Sequence, residues 1–205
     1  MRVPPEFHWI ASGLAILAWG SGVSGTALAQ GPSYSCTGAA ASSIEEMICN
    51  DSGLAELDRK LADVYSEALR KTPKGQSATL KAEQRGWIKG RNDCWKKADK
   101  RACVEEEYKR RIAELQARYN LASSTSPTVF TCDGQQGNEL VATFFQTDPP
   151  TLIAEYGGNI SLMHLQPAAS GAKYQGRNEV FWEHHGEALV TWGYGAPDMR
   201  CKKAR

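Results

Sequence analysis

The sequence predicts an α+β protein built as two domains, a disulfide-bonded helical hairpin or bundle followed by a small antiparallel β domain, barrel or sandwich. Three observations carry this. Apolar residues recur at helical spacing between Cys36 and Leu121 and at a period of two from Val129 onward. The run Leu121 to Thr128, Leu-Ala-Ser-Ser-Thr-Ser-Pro-Thr, separates the two patterns. Six cysteines divide four to the first part and two to the second, behind what reads as an export signal.

That signal is expected over residues 1–29. Arg2 precedes an apolar run from Trp9 to Trp19, and Ala27-Leu28-Ala29 supplies the small residues a signal peptidase reads, with cleavage before Gln30. The run is about half of the ~20 residues a membrane-spanning helix needs. The first cysteine, Cys36, follows Pro32-Ser33-Tyr34-Ser35, unlike the Leu-Ala-Gly type of run before a lipidated cysteine. The expectation is a soluble periplasmic or secreted protein without a stable membrane anchor.

The helical domain is expected over 34–121. Ser43-Ile44-Glu45-Glu46 reads as a capping box at a helix start. Leu54, Leu57, Leu61, Val64, Tyr65 and Ala68 then share a helix face, and Thr72-Pro73-Lys74-Gly75 ends it. Ser77 is placed to cap the next helix, with Leu80, Gln84, Trp87, Ile88, Arg91 and Trp95 on one face. A last helix carries Val104, Tyr108, Ile112, Leu115 and Tyr119. On one continuous helix Cys94 and Cys103 would lie ~13.5 Å apart, against the ~4.4–6.8 Å a disulfide needs. If they pair, the chain must turn at Lys96-Lys97-Ala98-Asp99-Lys100. Cys36 and Cys49 are placed to tie the extended N-terminal stretch to the first helix. Each such bridge contributes ~2–4 kcal/mol, which a thin helical core needs.

A flexible linker is expected over 122–127 and the β domain over 128–205. Val129–Cys132, Leu140–Phe145, Leu152–Tyr156, Ile160–Leu165, Val180–Trp182 and Ala188–Trp192 are β-prone runs separated by glycine, proline and asparagine. Cys132 and Cys201, the two cysteines of this half, should pair and close it end to end. The formal net charge of the whole chain is +1, so nucleic acid is not an expected partner. The halves differ: 17 basic and 14 acidic residues lie between Tyr34 and Leu121, and 6 basic and 8 acidic between Thr128 and Arg205.

No catalytic constellation is visible, so the expectation is a protein that is not an enzyme and needs neither cofactor nor metal. The cysteines are accounted for by disulfides. His8 lies within the signal, and His164 sits in a β-run as a core or edge residue. His184 and His185, if on a strand, point to opposite faces, and no third ligand is spaced to help them hold a metal. Glu45-Glu46 and Glu105-Glu106-Glu107 read as solvated helix faces. Binding is better supported. Ser170-Gly171-Ala172-Lys173-Tyr174 and Phe181-Trp182-Glu183-His184-His185-Gly186 flank a turn at Gly176-Arg177-Asn178, and a hairpin would set them side by side. Tyrosine, tryptophan and arginine are the residues that most often anchor interfaces. One of Phe181 and Trp182 must face inward; Ser170 and Lys173 are expected to be exposed.

These two stretches resemble the paired motifs SGxxY and FWxKGxEA of the MliC-like inhibitors of c-type lysozyme, over about residues 128–203 including Cys132 and Cys201. The resemblance implies an eight-stranded antiparallel β-barrel. It further implies that a loop bearing the first-motif serine and a loop bearing the second-motif lysine enter the lysozyme cleft and meet its paired carboxylates. On this sequence the lysozyme-binding residues would be Ser170, Gly171, Lys173, Tyr174, His184 and His185. The first half is similar to the LprI-like N-terminal domain at Cys36, Ile48-Cys49, Leu54, Leu57-Asp58, Tyr65, Gln84 to Ile88, Arg91, Cys94, Cys103 and Tyr108 to Arg111. There Arg91 and Trp87 read as stacking and packing residues.

The second motif departs from the pattern: Glu183, His184 and His185 stand between Trp182 and Gly186, which reads as one extra residue with histidine in place of lysine. Lysine is charged at any working pH, whereas a histidine titrates near about 6.5 and is largely neutral at pH 7. The expected function is a periplasmic inhibitor of c-type lysozyme that protects peptidoglycan. The alternative is an envelope scaffold that keeps the barrel and recognises another protein or a glycan.

Overall fold

The structure, a computed structural model, describes residues 31–204. The signal expected over 1–29 lies outside the described residues. Four helices come first, α1 (Ile44–Asn50), α2 (Ser52–Lys71), α3 (Ser77–Asn92) and α4 (Lys100–Arg118), with a 3₁₀ turn at Asp93–Lys96. Eight strands follow: β1 (Thr128–Cys132), β2 (Glu139–Phe145), β3 (Thr151–Tyr156), β4 (Asn159–Gln166), β5 (Ala172–Gln175), β6 (Glu179–His184), β7 (Glu187–Trp192) and β8 (Asp198–Lys203).

Side-chain caps set three of the helix starts. Ser43 Oγ accepts from the Glu46 amide at 3.1 Å, and Glu46 reaches back to the Ser42 amide, one residue before the cap, at 2.6 Å. Asp51 and Asp99 cap α2 and α4 through Leu54 and Ala102. Ser77 does not cap α3: Gln76 already has helical backbone angles and no side-chain bond forms there. The turn at Pro73–Gln76 leads directly into the helix, so the chain never makes the extended step that a cap occupies.

Ile48, Leu54, Leu61, Leu80, Val104, Ile112 and Leu115 form the core of the helical half. Each contributes ~1.5–3 kcal/mol by leaving water. The face expected on α3 is only partly inward: Leu80 and Arg91 are buried, Ile88 is exposed, and Trp95 leaves the helix in the 3₁₀ turn at 59% exposure. The chain does turn between Cys94 and Cys103, bringing their α-carbons to 5.7 Å, and the Cys36–Cys49 bridge spans 5.9 Å.

A charged network threads this core. Tyr108 is fully buried; its hydroxyl donates to Asp58 and receives Arg91 Nη1, each at 2.7 Å. Asp58 also accepts the Ser33 amide and hydroxyl, and Arg91 continues to Glu45 and Asn92. The Arg91 guanidinium stands 5.6 Å from the Trp87 and Tyr108 ring centres. Burial, above all, pushes the Tyr108 hydroxyl far above its ordinary range.

The strands close on themselves in sequence order, all antiparallel, with β1 paired to both β2 and β8. Cys132 and Cys201 face each other across that seam and are bonded. Phe130, Leu140, Leu152, Met163, Phe181 and Val190 fill the interior. Two strands carry no β-prone run: β5 is short, and β8 (Asp-Met-Arg-Cys-Lys-Lys) buries only Cys201. Neighbours on both sides recruit them by backbone pairing.

The stretch read as a flexible linker is instead held against the barrel. The Thr125 amide donates to the Phe144 carbonyl at 2.9 Å and the Gln146 amide to the Ser123 carbonyl at 2.8 Å. α4 consequently packs on β3, and His164 of β4 is 8% exposed beside Arg110, Glu114 and Arg118.

Tyr108→Phe should leave buried charged groups of Asp58 and Arg91 short of a partner and cost about 2–3 kcal/mol, read by urea unfolding followed by far-ultraviolet circular dichroism. His164 gives a pH signature. Burial first, then Arg110 and Arg118, lower its pKa from 6.5 to about 4, against the pull of Glu114. The unfolded chain therefore binds the proton first, and stability contributed by the neutral ring above pH 6.5 is lost as pH falls toward 4, by at most about 3 kcal/mol. The slope of stability against pH over that window should flatten in His164→Gln.

Candidate functional site

β5 and β6 pair as expected around Gly176–Asn178, with Tyr174 opposite Phe181 and Lys173 opposite Trp182. Period-two alternation then sorts the residues. Phe181 and Tyr174 point into the barrel and Trp182 and Lys173 point out. Lys173 Nζ lies 5.8 Å from the Trp182 ring centre, a cation–π arrangement on the outer face.

Tyr174, expected among the lysozyme-binding residues, has its ring turned into the barrel. It is 8% exposed and packs edge-on against Phe144 at 5.6 Å between centroids, and burial raises its pKa. Its motif position reflects the barrel core. Of the pair Phe181-Trp182, Trp182 is the one that faces outward; it is half-buried, and its indole N–H donates to the Ser170 carbonyl at 2.9 Å. Alternation from buried Phe181 is the signal that places it outside.

Gly171 sits where no other residue fits. Its φ is +70°, and an added β-carbon would lie 2.2 Å from the Glu183 carbonyl oxygen and 3.1 Å from the His184 ring. The loop before β5 is therefore seated on the end of β6, with Ser170 and Gly171 exposed next to the β6–β7 turn. That turn has two residues, His185 (φ 55°) and Gly186 (φ 81°), and both positive angles match the tight hairpin turns favoured by strand twist. Glu183 Oε1 accepts the Gly186 amide at 2.8 Å and braces it. His184 ends β6 opposite Glu187; its ring meets that of His185 at 4.0 Å between centroids, nearly perpendicular. Both imidazoles are exposed, and no cluster of three metal-ligating side chains occurs among the described residues.

The register also removes the apparent extra residue. From Trp182 to Ala188 the chain has as many positions as FWxKGxEA has from its Trp to its Ala, so His184 falls where lysine stands and His185 where the glycine stands. His185 has the positive φ a glycine would supply. Beside this ridge a groove of about 330 Å³ is lined by Ser170, Trp182, His184, Leu189, Glu187 and Arg200. Lys202 pairs with Glu187 at 2.9 Å and holds its carboxyl below the ordinary range. Leu189 and Arg200 face each other across β7 and β8 on the outer face. Arg200 could not be added from the sequence because β8 left no β-prone run, and Leu189, within the expected run Ala188–Trp192, gained its place only through that pairing.

This fold and site define a two-part protein: a disulfide-bonded helical module joined to a small closed barrel that presents a braced loop pair. The family patterns match in that order, LprI (lysozyme inhibitor LprI) over 36–115 and MliC (membrane-bound lysozyme-inhibitor of c-type lysozyme) over 130–199. Lipoprotein LprI from Mycobacterium bovis and from Mycobacterium tuberculosis are each 34% identical over 164 residues, covering 79% of this chain and 80% of theirs. The chain belongs to the LprI family. Among solved structures, Pseudomonas aeruginosa MliC in complex with hen egg white lysozyme aligns at 17% identity, covering 40% of this chain and 86% of that one, with a TM-score of 0.32. No described helix is long and apolar enough to cross a membrane.

Gly171→Ala should force the loop off β6. Amide resonances of both Ser170 and the His185–Gly186 turn should move together, with about 1–3 kcal/mol lost. A perturbation confined to the Gly171 loop would show that the two loops are independent.

Proposed function

We propose that this protein inhibits a c-type lysozyme in the bacterial envelope, presenting Ser170 together with His184 and His185 to the enzyme's cleft and so protecting peptidoglycan. The single observation that carries this reading is the seating of Gly171 on the Glu183 carbonyl, which joins both motif loops into one exposed ridge. The family assignments of the two halves, both described as lysozyme inhibitors, support it. Ser170 offers a hydroxyl that donates to a carboxylate. His184 offers an exposed imidazole beside it. Tyr174 acts as the core anchor of β5, and Lys173 as a brace on Trp182.

We further propose that the mature chain begins near Gln30 and carries no lipid. The M. bovis and M. tuberculosis relatives are named lipoproteins; here the Cys36 sulfur is bonded to Cys49. The scaffold alternative draws on one observation, the absence of lysine from the second motif.

Lysis assays with c-type, g-type and i-type lysozymes test the function. Inhibition of the c-type alone is expected. Ser170→Ala should weaken it about 10- to 150-fold, the worth of a hydrogen bond to a charged group. His184→Ala, which removes the exposed imidazole at the end of β6, should weaken it further. Full potency in both variants would overturn the ridge as the contact site, and no inhibition of any of the three lysozymes would favour the scaffold reading.

A further inference from the structure

A second site lies away from the loop ridge, in the cleft between the helical module and the barrel, and its argument is independent of the lysozyme reading. The cleft, about 430 Å³, runs between α4, Trp87 of α3, β4 and the β5–β6 turn. Four arginines line it, Arg110, Arg111, Arg118 and Arg177, against two carboxylates, Glu107 and Glu114. Glu114 is already shared: Arg111 and Arg118 hold it at 2.8 and 3.0 Å, and their charges outweigh its burial to lower its pKa. Arg110 has only a 3.6 Å approach to Glu106. Arg177 is exposed on the turn facing them. The lining is thus left with a surplus of two positive charges.

The walls also contain unpaired nitrogen. Among the described residues, three buried side-chain nitrogens lack any hydrogen-bond partner: Trp87 Nε1, Arg111 Nη2 and His164 Nδ1. All three belong to residues that line this one cleft. Arg111 and His164 are 4% and 8% exposed. Folded proteins rarely leave such groups unsatisfied, and an ion or ordered water is the usual explanation. Arg111 is otherwise well held, by Gln84 at 3.1 Å and by Glu114, so its remaining N–H is fixed in place without a protein acceptor. A surplus of cations around fixed, unpaired donors calls for an anion with several acceptor oxygens. A carboxylate offers two coplanar oxygens, suited to one guanidinium fork. A tetrahedral dianion can be approached by several guanidinium groups and matches the surplus charge.

We propose that this cleft binds a phosphate group, free or as a phosphomonoester, between Arg110, Arg118 and Arg177, with Arg111 and Trp87 donating from the floor. Such a ligand would join helical module to barrel through charges from both, with Arg177 the barrel's contribution.

The test is thermal unfolding of the intact protein in inorganic phosphate, glycerol phosphate or acetate at constant ionic strength, with the His164 imidazole followed by nuclear magnetic resonance. Phosphate or its ester should raise the melting temperature in a saturable way that acetate does not, and should move the His164 titration upward from about 4. Arg177→Ala, at an exposed turn position, and Arg118→Gln should each weaken binding about tenfold or more. Equal effects of phosphate and acetate, an unmoved His164 ring, or undiminished binding in both variants would overturn the site. An effect of the ester but not of inorganic phosphate would keep it and identify the group as one carried on a larger molecule.

Discussion

The approach of the Gly171 α-carbon to the Glu183 carbonyl is the constraint on which the barrel's loop end depends. Without it the five-residue connection before β5 would have only its own backbone to hold it. With it, Ser170 is bonded through its carbonyl to Trp182, Trp182 is covered by Lys173, and Glu183 braces Gly186 from the other side. Four successive residues of β6, from Phe181 to His184, thus serve in turn core, loop, turn and exposed surface. The motif pair is separated in sequence and continuous in space because one glycine lacks a β-carbon.

Much of this was legible in the sequence, for reasons that differ by element. Period-two runs gave six strands, since buried alternate residues leave a hydrophobic pattern. β5 and β8 left almost none, because their partners and the seam disulfide hold them. Ser170 and Gly171 were legible as an exposed loop from composition alone. Tyr174 was placed with the loop by its motif, whereas alternation along β5 from Lys173 is the signal that turns its ring inward onto Phe144. The apparent insertion at His184-His185 came from counting to the glycine. Strand register, counted to Glu187 and Ala188, shows a turn of unchanged length in which a histidine takes the positive φ.

The helical half illustrates a different economy. Its core is thin, and burying Asp58 and Arg91 there costs several kcal/mol per ion before any pairing. Tyr108 offsets that by bonding both, and Glu45, Asn92 and Ser33 complete the remaining valences. The network joins the N-terminal stretch, α1, α2, α3 and α4. An apolar replacement would fill the same volume but would not specify which helix meets which. Two disulfides and this network therefore divide the task, the bridges limiting the unfolded chain and the polar bonds selecting the arrangement.

The two halves are also bound to one another more closely than a linker of serine and threonine suggests. Hydrogen bonds from Ser123 and Thr125 add a short extension to the edge of β2, which lays α4 on the barrel and buries His164. Electrostatics is then set at two separate places. In the cleft behind α4, guanidinium groups gather around a ring that stays neutral. At the loop ridge the Glu187 charge is taken by Lys202, so Arg200 supplies the fixed positive charge of the groove, beside the exposed His184. The two histidines take the place of the lysine and glycine of the motif without changing the length of the turn or the backbone that holds it.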